Sequence, residues 1–281
     1  MTRFRPLTAH DGLVPAITGV AGRREAQSQP ATPPCDPARG TAGPILGPVR
    51  TLVVTGTGTD VGKTVVVAAV AALAVSAGDR VAVVKPAQTG VGPHDDGDLA
   101  VIARLARVQY TVELARYPDP LAPATAARRA GRPAVTADAV VEAVTGLEGE
   151  ADLVLVEGAG GLLVHLDDGG STLADVAVGL DAPVLLVASA GLGVLNVAAL
   201  TAEALATRGV ALAGLVVGAY PAEAELAERT NLDDLPRVTG APLLGCLPAG
   251  LGELGRAGFL EAARCGLGPD LGGRWSVGAV G

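Results

Sequence analysis

Short β-branched runs alternate with longer alanine-rich stretches through most of the chain. The runs contain few polar residues, which is typical of strands that are buried on both faces of a parallel sheet. This alternation predicts an α/β fold with a single doubly wound, mostly parallel sheet, helices on both faces and ligands at the carboxyl ends of the strands. The predicted strands are Thr51–Thr55, Val81–Val84, Leu153–Val156, Val184–Val187, Leu212–Val217 and Leu243–Leu247. The predicted helices are Lys63–Ala77, Asp98–Arg107, Thr136–Thr145, Thr172–Val178 and Val194–Arg208.

Residues 1–48 lack this pattern and hold eight of the chain's 20 prolines. Such a segment cannot bury enough apolar surface to offset its conformational entropy. We therefore expect a disordered extension over residues 1–48 and a folded domain over residues 49–281. A start site assigned too far upstream would leave the same composition.

Composition narrows the class of protein further. Hydrophobic residues make up 49% of the chain and aromatic residues only 2%, so the core must be aliphatic. The formal net charge of −8 argues against nucleic acid or an anionic membrane as the main partner. The longest uncharged run, residues 182–202, is interrupted by Pro183 and two glycines, unlike a membrane-spanning helix. Together with three widely spaced cysteines, this predicts a cytoplasmic protein.

Lysine is nearly absent, because only two of the 21 basic residues are lysine. A bias towards arginine would spare lysine where a compact ammonium on a slim stem is required. Lys63 lies in a glycine-rich loop and Lys85 begins the segment Lys85–Gly90. We interpret both as site residues, with chance survival of two surface lysines as the alternative.

The loop Gly56–Thr64 joins the first predicted strand to the first predicted helix. In such a loop, backbone N–H groups and the helix N-terminus bind phosphate oxygens, a lysine bridges the β- and γ-phosphates, and a hydroxyl reaches Mg²⁺. Lys63 and Thr64 have these two side chains at the required positions. Thr57 stands where the strict pattern has its first glycine, so a turn without a nucleotide is the alternative.

Two carboxylates are candidates for the metal site, since Mg²⁺ prefers oxygen ligands. Glu157 follows the buried strand Leu153–Val156 and precedes several glycines, so it is expected level with the phosphate loop. Asp98 closes an acidic loop and is the second candidate. A solvated charge is the alternative at both positions, and more so at Asp98, because Asp95 and Asp96 are equally acidic.

Lys85 follows the strand Val81–Val84 and is therefore expected at the same edge of the sheet. A second cation beside a nucleotide can neutralise a transferred phosphoryl group, or hold an anionic acceptor such as a carbamate. Thr89 adds a hydroxyl nearby. A salt-bridged lysine at a strand end is the structural alternative.

In these motifs the chain resembles the dethiobiotin synthases, which are ATP-dependent enzymes with a P-loop NTPase type of fold. The resemblance covers roughly residues 50–250. It is carried by the ordered motifs Gly56–Thr64, Lys85–Gly90, Val156–Gly161, Leu192–Asn196, Ala241–Gly245 and Leu247-Pro248. The loop alone is shared by a large superclass, whereas the combination of motifs is much more specific.

The resemblance implies a ligase of biotin biosynthesis. CO₂ would carboxylate one amine of 7,8-diaminopelargonate to a carbamate, MgATP would phosphorylate the carbamate, and the second amine would close the ring. Lys85 and Lys63 would be catalytic. Thr64, Asp98 and Glu157 would hold Mg²⁺, and Thr89, Gly161 and Asn196 would bind the substrate, Asn196 across a homodimer interface. The implied nucleotide contacts are Asp60, Val61, Gly62, Lys63, Thr64, Val65, Asp98, Glu157, Gly158, Ala159, Gly160, Gly218, Ala219, Pro248, Ala249 and Gly250.

One departure from the family concerns the nucleotide base. Some members have an adenine-binding asparagine where Gly218 and Ala219 stand in this chain. Base recognition would then rest on backbone groups, and we hypothesise that other nucleoside triphosphates can partly replace ATP. Asp60 is a smaller departure, since the family often has glutamate there.

Three other classes of protein share parts of this pattern. Partitioning-type switch ATPases have a similar loop, but they place a second lysine near its start, where this chain has Gly56, Thr57 and Gly58. The amidating synthases of cobalamin assembly append a glutaminase domain, for which the short stretch after Pro248 leaves no room. A nucleotide-binding module without catalysis is the third alternative.

Overall fold

The structure is a computed structural model that describes residues 50–276. The extension expected over residues 1–48 lies outside the described residues. Seven strands form one wholly parallel sheet in the order β3-β2-β4-β1-β5-β6-β7. The strands are β1 (Arg50–Gly56), β2 (Val81–Thr89), β3 (Tyr110–Tyr117), β4 (Leu153–Gly161), β5 (Val184–Ala188), β6 (Leu212–Tyr220) and β7 (Leu243–Pro248). The helices are α1 (Lys63–Ala77), α2 (Asp98–Ala106), α3 (Pro123–Ala130), α4 (Ala137–Thr145), α5 (Leu173–Gly179), α6 (Val194–Thr207), α7 (Leu226–Thr239) and α8 (Arg256–Gly266).

Helices cover both faces of this sheet, as the sequence predicts. On one face, Val66 of α1, Ile102 of α2 and Phe259 of α8 belong to one buried aliphatic cluster. On the other face, Val140 of α4 and Val176 of α5 belong to a second cluster. Each face of the sheet therefore removes apolar surface from water, which is the main stabilising contribution to such a fold.

All six predicted strands are present and each ends later than predicted, β2 and β4 by five residues. The predicted strand Val81–Val84 extends to Thr89 because it pairs with β3, in a register that places Lys85 opposite Glu113. Lys85 and Glu157 consequently lie within strands rather than just beyond them. A residue inside a paired strand has a fixed backbone, so both side chains start from rigid positions.

Several elements are not predicted by the apolar pattern. Strand β3 is at the edge of the sheet, pairs only with β2 and is mostly half-exposed, so it shows no continuous apolar run. Helices α3, α7 and α8 were also not predicted. Helix α8 has glycines on both sides of it in the sequence, yet its Phe259 and Ala263 are fully buried in the same cluster as α1. Among residues 50–276, no helix is long and apolar enough to cross a bilayer.

Candidate functional site

The phosphate loop lies between β1 and α1 at the carboxyl edge of the sheet. Helix α1 begins after Gly62, whose φ of 92° lies in the left-handed region that glycine adopts without strain. The Lys63 ammonium donates a hydrogen bond to the Gly58 carbonyl at 2.7 Å, across the loop. Lys63 is only 8% exposed, and its described hydrogen bond is to backbone rather than to a carboxylate. The loop is thus closed around its own lysine.

Glu157 connects the phosphate loop to Lys85. Its carboxylate oxygen Oε1 accepts hydrogen bonds from the Thr64 hydroxyl at 2.8 Å and from the Lys85 ammonium at 2.9 Å. The residue is fully buried, and its second oxygen, Oε2, has no hydrogen-bond partner among the described residues. A buried, unpaired carboxylate oxygen is costly, so this atom is the one most in need of a cation or a donor.

Lys85 lies between two carboxylates. Its Nζ is 2.5 Å from Asp98 Oδ2 and 2.9 Å from Glu157 Oε1, and the residue is only 3% exposed. Burial disfavours the charged lysine, but the charges of Glu157 and Asp98 outweigh burial and raise the pKa of Lys85. Lys85 is therefore held as an ammonium ion at neutral pH.

The two lysines are close enough to influence each other. Burial is the main cause that lowers the pKa of Lys63, and the ammonium of Lys85 is the next. Glu157 and Asp98 act in the opposite direction on Lys63. Two ammonium groups and two carboxylates leave this cluster with no net formal charge, so its fit to the terminal phosphates of a nucleotide depends on where the ammonium groups and the loop N–H groups are placed.

The oxygen atoms at this corner fit Mg²⁺. The Thr64 hydroxyl and the carboxylates of Asp98 and Glu157 are hard ligands, and Glu157 Oε2 is the unpaired atom. Within residues 50–276 there is no group of three or more His, Cys, Asp or Glu residues that could hold a metal ion. The two carboxylates that lie here fit Mg²⁺, which is usually bound by one or two carboxylates together with substrate phosphates and water.

The glycines after Glu157 complete the same edge of the sheet. A Cβ built on Gly158 would lie 2.4 Å from Leu173 Cδ2, so a larger side chain requires the buried Leu173 to move. Gly161 pairs with Gly56 at the start of the phosphate loop, and Gly160 and Ala159 are half-buried between them. The segment Gly158–Gly161 therefore ends beside the start of the loop.

Gly218 lies directly beneath the phosphate loop. A Cβ at this position would be 2.2 Å from the Val61 carbonyl oxygen and 3.2 Å from Gly62 Cα. The absence of a side chain is thus required by packing, a constraint that the sequence did not reveal. Ala219, the next residue, is exposed.

The segment Pro248–Gly250 also approaches the loop side of the sheet. Ala249 donates its N–H to the Tyr220 carbonyl at 2.8 Å, so the segment remains attached to β6. A Cβ on Gly252 would be 3.5 Å from Val65 Cγ2, in the first turn of α1. Arg104 of α2 donates to the Gly252 carbonyl at 2.7 Å and thereby ties this segment to the helix that begins at Asp98.

The predicted substrate residues are more dispersed. Thr89 is half-buried at the end of β2, on the strand that carries Lys85. Asn196 is exposed in the first turn of α6, and none of the described hydrogen bonds of the Lys85 cluster involves it. The structure therefore brings together Lys63, Thr64, Lys85, Asp98 and Glu157, whereas none of the described hydrogen bonds or ion pairs joins Asn196 to them.

Two polar residues near the site were missed by the sequence analysis. Gln88 is buried and accepts the backbone N–H of Asp98 at 2.9 Å. Asn231 of α7 is buried and donates to the carbonyls of Ala190 at 2.7 Å and Gly191 at 3.1 Å, in the turn before α6. Gln88 lies within the conspicuous segment Lys85–Gly90, which was a usable signal, whereas no pattern marks Asn231.

Comparisons with known proteins identify the family of this chain. A family model described as an AAA domain matches residues 50–251. An ATP-dependent dethiobiotin synthetase BioD from Saccharopolyspora erythraea is 66% identical over 225 residues, covering 80% of this chain and 98% of that protein. One from Streptomyces coelicolor is 61% identical over 230 residues, covering 82% of this chain and 97% of that protein.

Among solved structures, the MinC:MinD cell division complex of Aquifex aeolicus matches with a TM-score of 0.50 and 14% identity, covering 80% of this chain and 94% of that chain. At that identity the likeness is one of fold alone. Identity above 60% over nearly the whole length of the synthetases is of a different kind, since at that level it shows membership of the family and not only a shared fold. The chain therefore belongs to the ATP-dependent dethiobiotin synthetase family.

Proposed function

We propose that this protein is an ATP- and Mg²⁺-dependent cyclo-ligase that converts 7,8-diaminopelargonate and CO₂ into dethiobiotin. The observation that carries the proposal is the buried Lys85, held between Asp98 and Glu157 beside the phosphate loop of Lys63. A nucleotide-binding module or a switch ATPase has no evident use for a second buried ammonium at this place. An enzyme that phosphorylates an anionic acceptor does.

The nucleotide would bind along the phosphate loop. Backbone N–H groups of residues 60–65 would hold the phosphates, with Lys63 exchanging its hydrogen bond to Gly58 for phosphate oxygens. Thr64, Asp98 and Glu157 would hold Mg²⁺, which when bound offsets the negative charge of the phosphates. Segments 158–160, 218–219 and 248–250 would contact the rest of the nucleotide, which their positions around the loop support.

The reaction we propose has two chemical steps after carbamate formation. A carbamate oxygen attacks the γ-phosphorus, the bond to the β–γ bridging oxygen breaks, and ADP leaves. The free amine then attacks the carbamate carbon, the bond to phosphate breaks, and the amine proton passes to phosphate or solvent. Lys85 would stabilise the negative charge of the carbamate and of the transferring phosphoryl group, since it is already charged and immobile before the substrates bind.

The diamine would lie near Thr89 and Gly161, with its carboxylate end reaching Asn196 of a second copy of this chain. We propose a homodimer because Asn196 is accompanied on α6 by exposed apolar side chains. Leu192 just before this helix is 93% exposed and Leu200 is 57% exposed. Exposed leucines next to a polar substrate residue suit a subunit interface. Light scattering should give twice the monomer mass for the unaltered protein. The Leu200→Glu variant should give the mass of a single monomer.

The decisive measurement is the release of ADP from ATP and bicarbonate, with and without the diamine. We expect release to depend on the diamine, with dethiobiotin formed in equal amount. ADP release that does not depend on the diamine and is stimulated by DNA would instead favour a partitioning ATPase.

Because the reaction consumes a nucleoside triphosphate, we also propose the cytoplasm as its compartment, which fractionation of the native host can test.

We further propose that the base is selected weakly. Gly218 leaves no room for a side chain, so in this part of the site a base would meet backbone groups. Assays of kcat/KM for ATP, CTP and GTP should give ratios well below about a hundredfold. A larger preference for ATP, equivalent to more than about 2.7 kcal/mol, would contradict this proposal.

A further inference from the structure

Gln88 is a buried polar residue to which the reaction as described assigns no role. It lies on β2, three residues beyond Lys85, and is only 4% exposed. Its carboxamide oxygen Oε1 accepts the backbone N–H of Asp98 at 2.9 Å. Asp98 is the residue whose carboxylate lies 2.5 Å from the Lys85 ammonium. Gln88 therefore connects the strand of Lys85 to the backbone of its partner.

This hydrogen bond occupies the position of a helix cap. Asp98 is the first residue of α2, and the N-cap is Gly97, which has no side chain to satisfy the free N–H groups of the first turn. The cap is instead supplied from the neighbouring strand by Gln88. A cap of this kind fixes the backbone of Asp98 relative to β2, so the carboxylate is aimed from a rigid base.

The loop before α2 is held on its other side by Arg116 of β3. The Arg116 guanidinium donates to the carbonyls of Gly92 at 3.0 Å and Asp95 at 2.7 Å. It is itself fixed by Glu113, with two nitrogens 2.7 and 2.9 Å from the two carboxylate oxygens. A Cβ on Gly97 would be 2.7 Å from Gln88 Oε1 and 3.0 Å from Arg116 Nη2. The loop segment just before Asp98 is thus tightly packed against Gln88 and Arg116.

We infer that Gln88 is a positioning residue that sets the Asp98 carboxylate for Mg²⁺ and Lys85 by capping the first residue of α2. The inference rests on the metal role proposed above for Asp98. Residues that orient metal-binding carboxylates from behind typically change metal affinity about 10- to 100-fold when they are replaced. The effect of losing Gln88 should accordingly be seen in the response to Mg²⁺.

The test compares Gln88→Met with Gln88→Glu. Methionine has nearly the same shape as glutamine but no carboxamide oxygen, whereas glutamate keeps an acceptor at the same reach. Mg²⁺ binding is measured by calorimetry on the full chain with a non-hydrolysable ATP analogue, alongside the Mg²⁺ dependence of turnover. We expect Gln88→Met to weaken Mg²⁺ binding about tenfold, and Gln88→Glu to recover most of that loss. Unchanged Mg²⁺ binding in Gln88→Met would overturn the inference.

Gln109→Met is the matched control. Gln109 also uses Oε1 to accept a backbone N–H, that of Val81 at 2.8 Å, but at the opposite end of β2. The same substitution there removes the same type of contact far from the site, and it should leave Mg²⁺ binding unchanged. An equal loss of Mg²⁺ binding in both variants would show a general structural effect and would overturn the inference.

A double-mutant cycle separates this inference from the proposed function. Asp98→Asn alone should weaken Mg²⁺ binding, and adding Gln88→Met should weaken it little further, because the two residues act through one carboxylate. Unchanged binding in Asp98→Asn would refute the metal role itself. Full additivity in the double variant would refute positioning by Gln88 only. If Gln88→Met does not fold, Gln88→Asn, which shortens the side chain by one methylene, replaces it in the cycle.

Discussion

The two lysines of this chain lie in contrasting regions of one site. Lys63 belongs to a loop built from backbone, and its hydrogen bond is to the Gly58 carbonyl. Lys85 belongs to a strand, and its partners are the carboxylates of Asp98 and Glu157. Correspondingly, burial lowers the pKa of Lys63, while the two carboxylates outweigh burial and raise the pKa of Lys85.

This difference in pKa indicates that the two regions have different roles in ligand binding. The charge of Lys63 is poorly compensated by the protein and gains its full stabilisation when anionic phosphates arrive. The charge of Lys85 is compensated before any substrate binds, so its position does not depend on the nucleotide. The phosphate loop is therefore the region that responds to the ligand, and the end of β2 is the region that is organised in advance.

Replacing each lysine by methionine should give the largest contrast. Lys85→Met leaves Glu157 buried without its cation, which should lower the free energy of unfolding by about 3–5 kcal/mol. Lys63→Met removes a buried charge along with one hydrogen bond to backbone, so the change should stay within about 1 kcal/mol. Urea unfolding of the two variants measures the difference. Equal losses of stability would contradict the contrast between the two regions.

Lys85→Arg keeps the positive charge but should lose turnover about 100- to 1,000-fold, as is typical when a donor to the transition state is misplaced. The broad guanidinium has no room between two carboxylates that hold the ammonium at 2.5 and 2.9 Å. Steady-state kinetics with saturating ATP and diamine give the measurement. Near-normal kcat would show that charge alone, rather than its placement, is what the site needs.

Gly218→Ala probes the phosphate loop from below. The added methyl would meet the Val61 carbonyl oxygen at 2.2 Å, so the loop must shift, and the KM for ATP should rise about tenfold. Gly258→Ala is the control, because a Cβ there meets nothing within 4 Å in helix α8. That variant should keep its KM and gain up to about 1 kcal/mol of stability. A normal KM in Gly218→Ala would mean that the loop tolerates displacement.

The smallest expected effect is the dependence of stability on pH through the two lysines. Because the chain has only two lysines, isotope-labelled lysine gives two side-chain NMR signals. The pKa of Lys63 should lie below the ordinary value of 10.5 and that of Lys85 above it. As pH rises through the lowered pKa of Lys63, stability should increase, since the unfolded state still binds that proton.

The stabilisation from Lys85 has the opposite sign. Its pKa is raised in the folded state, so its contribution is complete below 10.5 and is lost as the pH rises through the higher folded value. Two signals that titrate together would contradict the comparison. Labelled Lys63→Arg protein, which retains only the Lys85 signal, serves to assign the spectra.

Much of the fold could be predicted because strong local signals agree with the tertiary structure. The helix Lys63–Ala77 has the bounds that the sequence predicts, between a left-handed Gly62 and a left-handed Gly78. Strand β3 was missed because it is a half-exposed edge strand. It carries polar residues such as Glu113 and Arg116, so it lacks the continuous apolar run by which the other strands were predicted. Helix α8 was missed because the glycines around it outweigh a short apolar face, which is buried only by packing against α1, α2 and β7 in the folded protein.

The sequence by itself determined the doubly wound class, the phosphate loop and the lysines and carboxylates that meet at the sheet edge, because each depends on local pattern and on where parallel strands end. Only the tertiary structure decided which of the neighbouring acids pairs with Lys85, why Gly218 has no side chain, and that Gln88 caps α2. These depend on distances between segments far apart in the chain, such as Lys85 and Glu157 or Val61 and Gly218. Such distances are set by the packing of the whole sheet, and no local pattern encodes them.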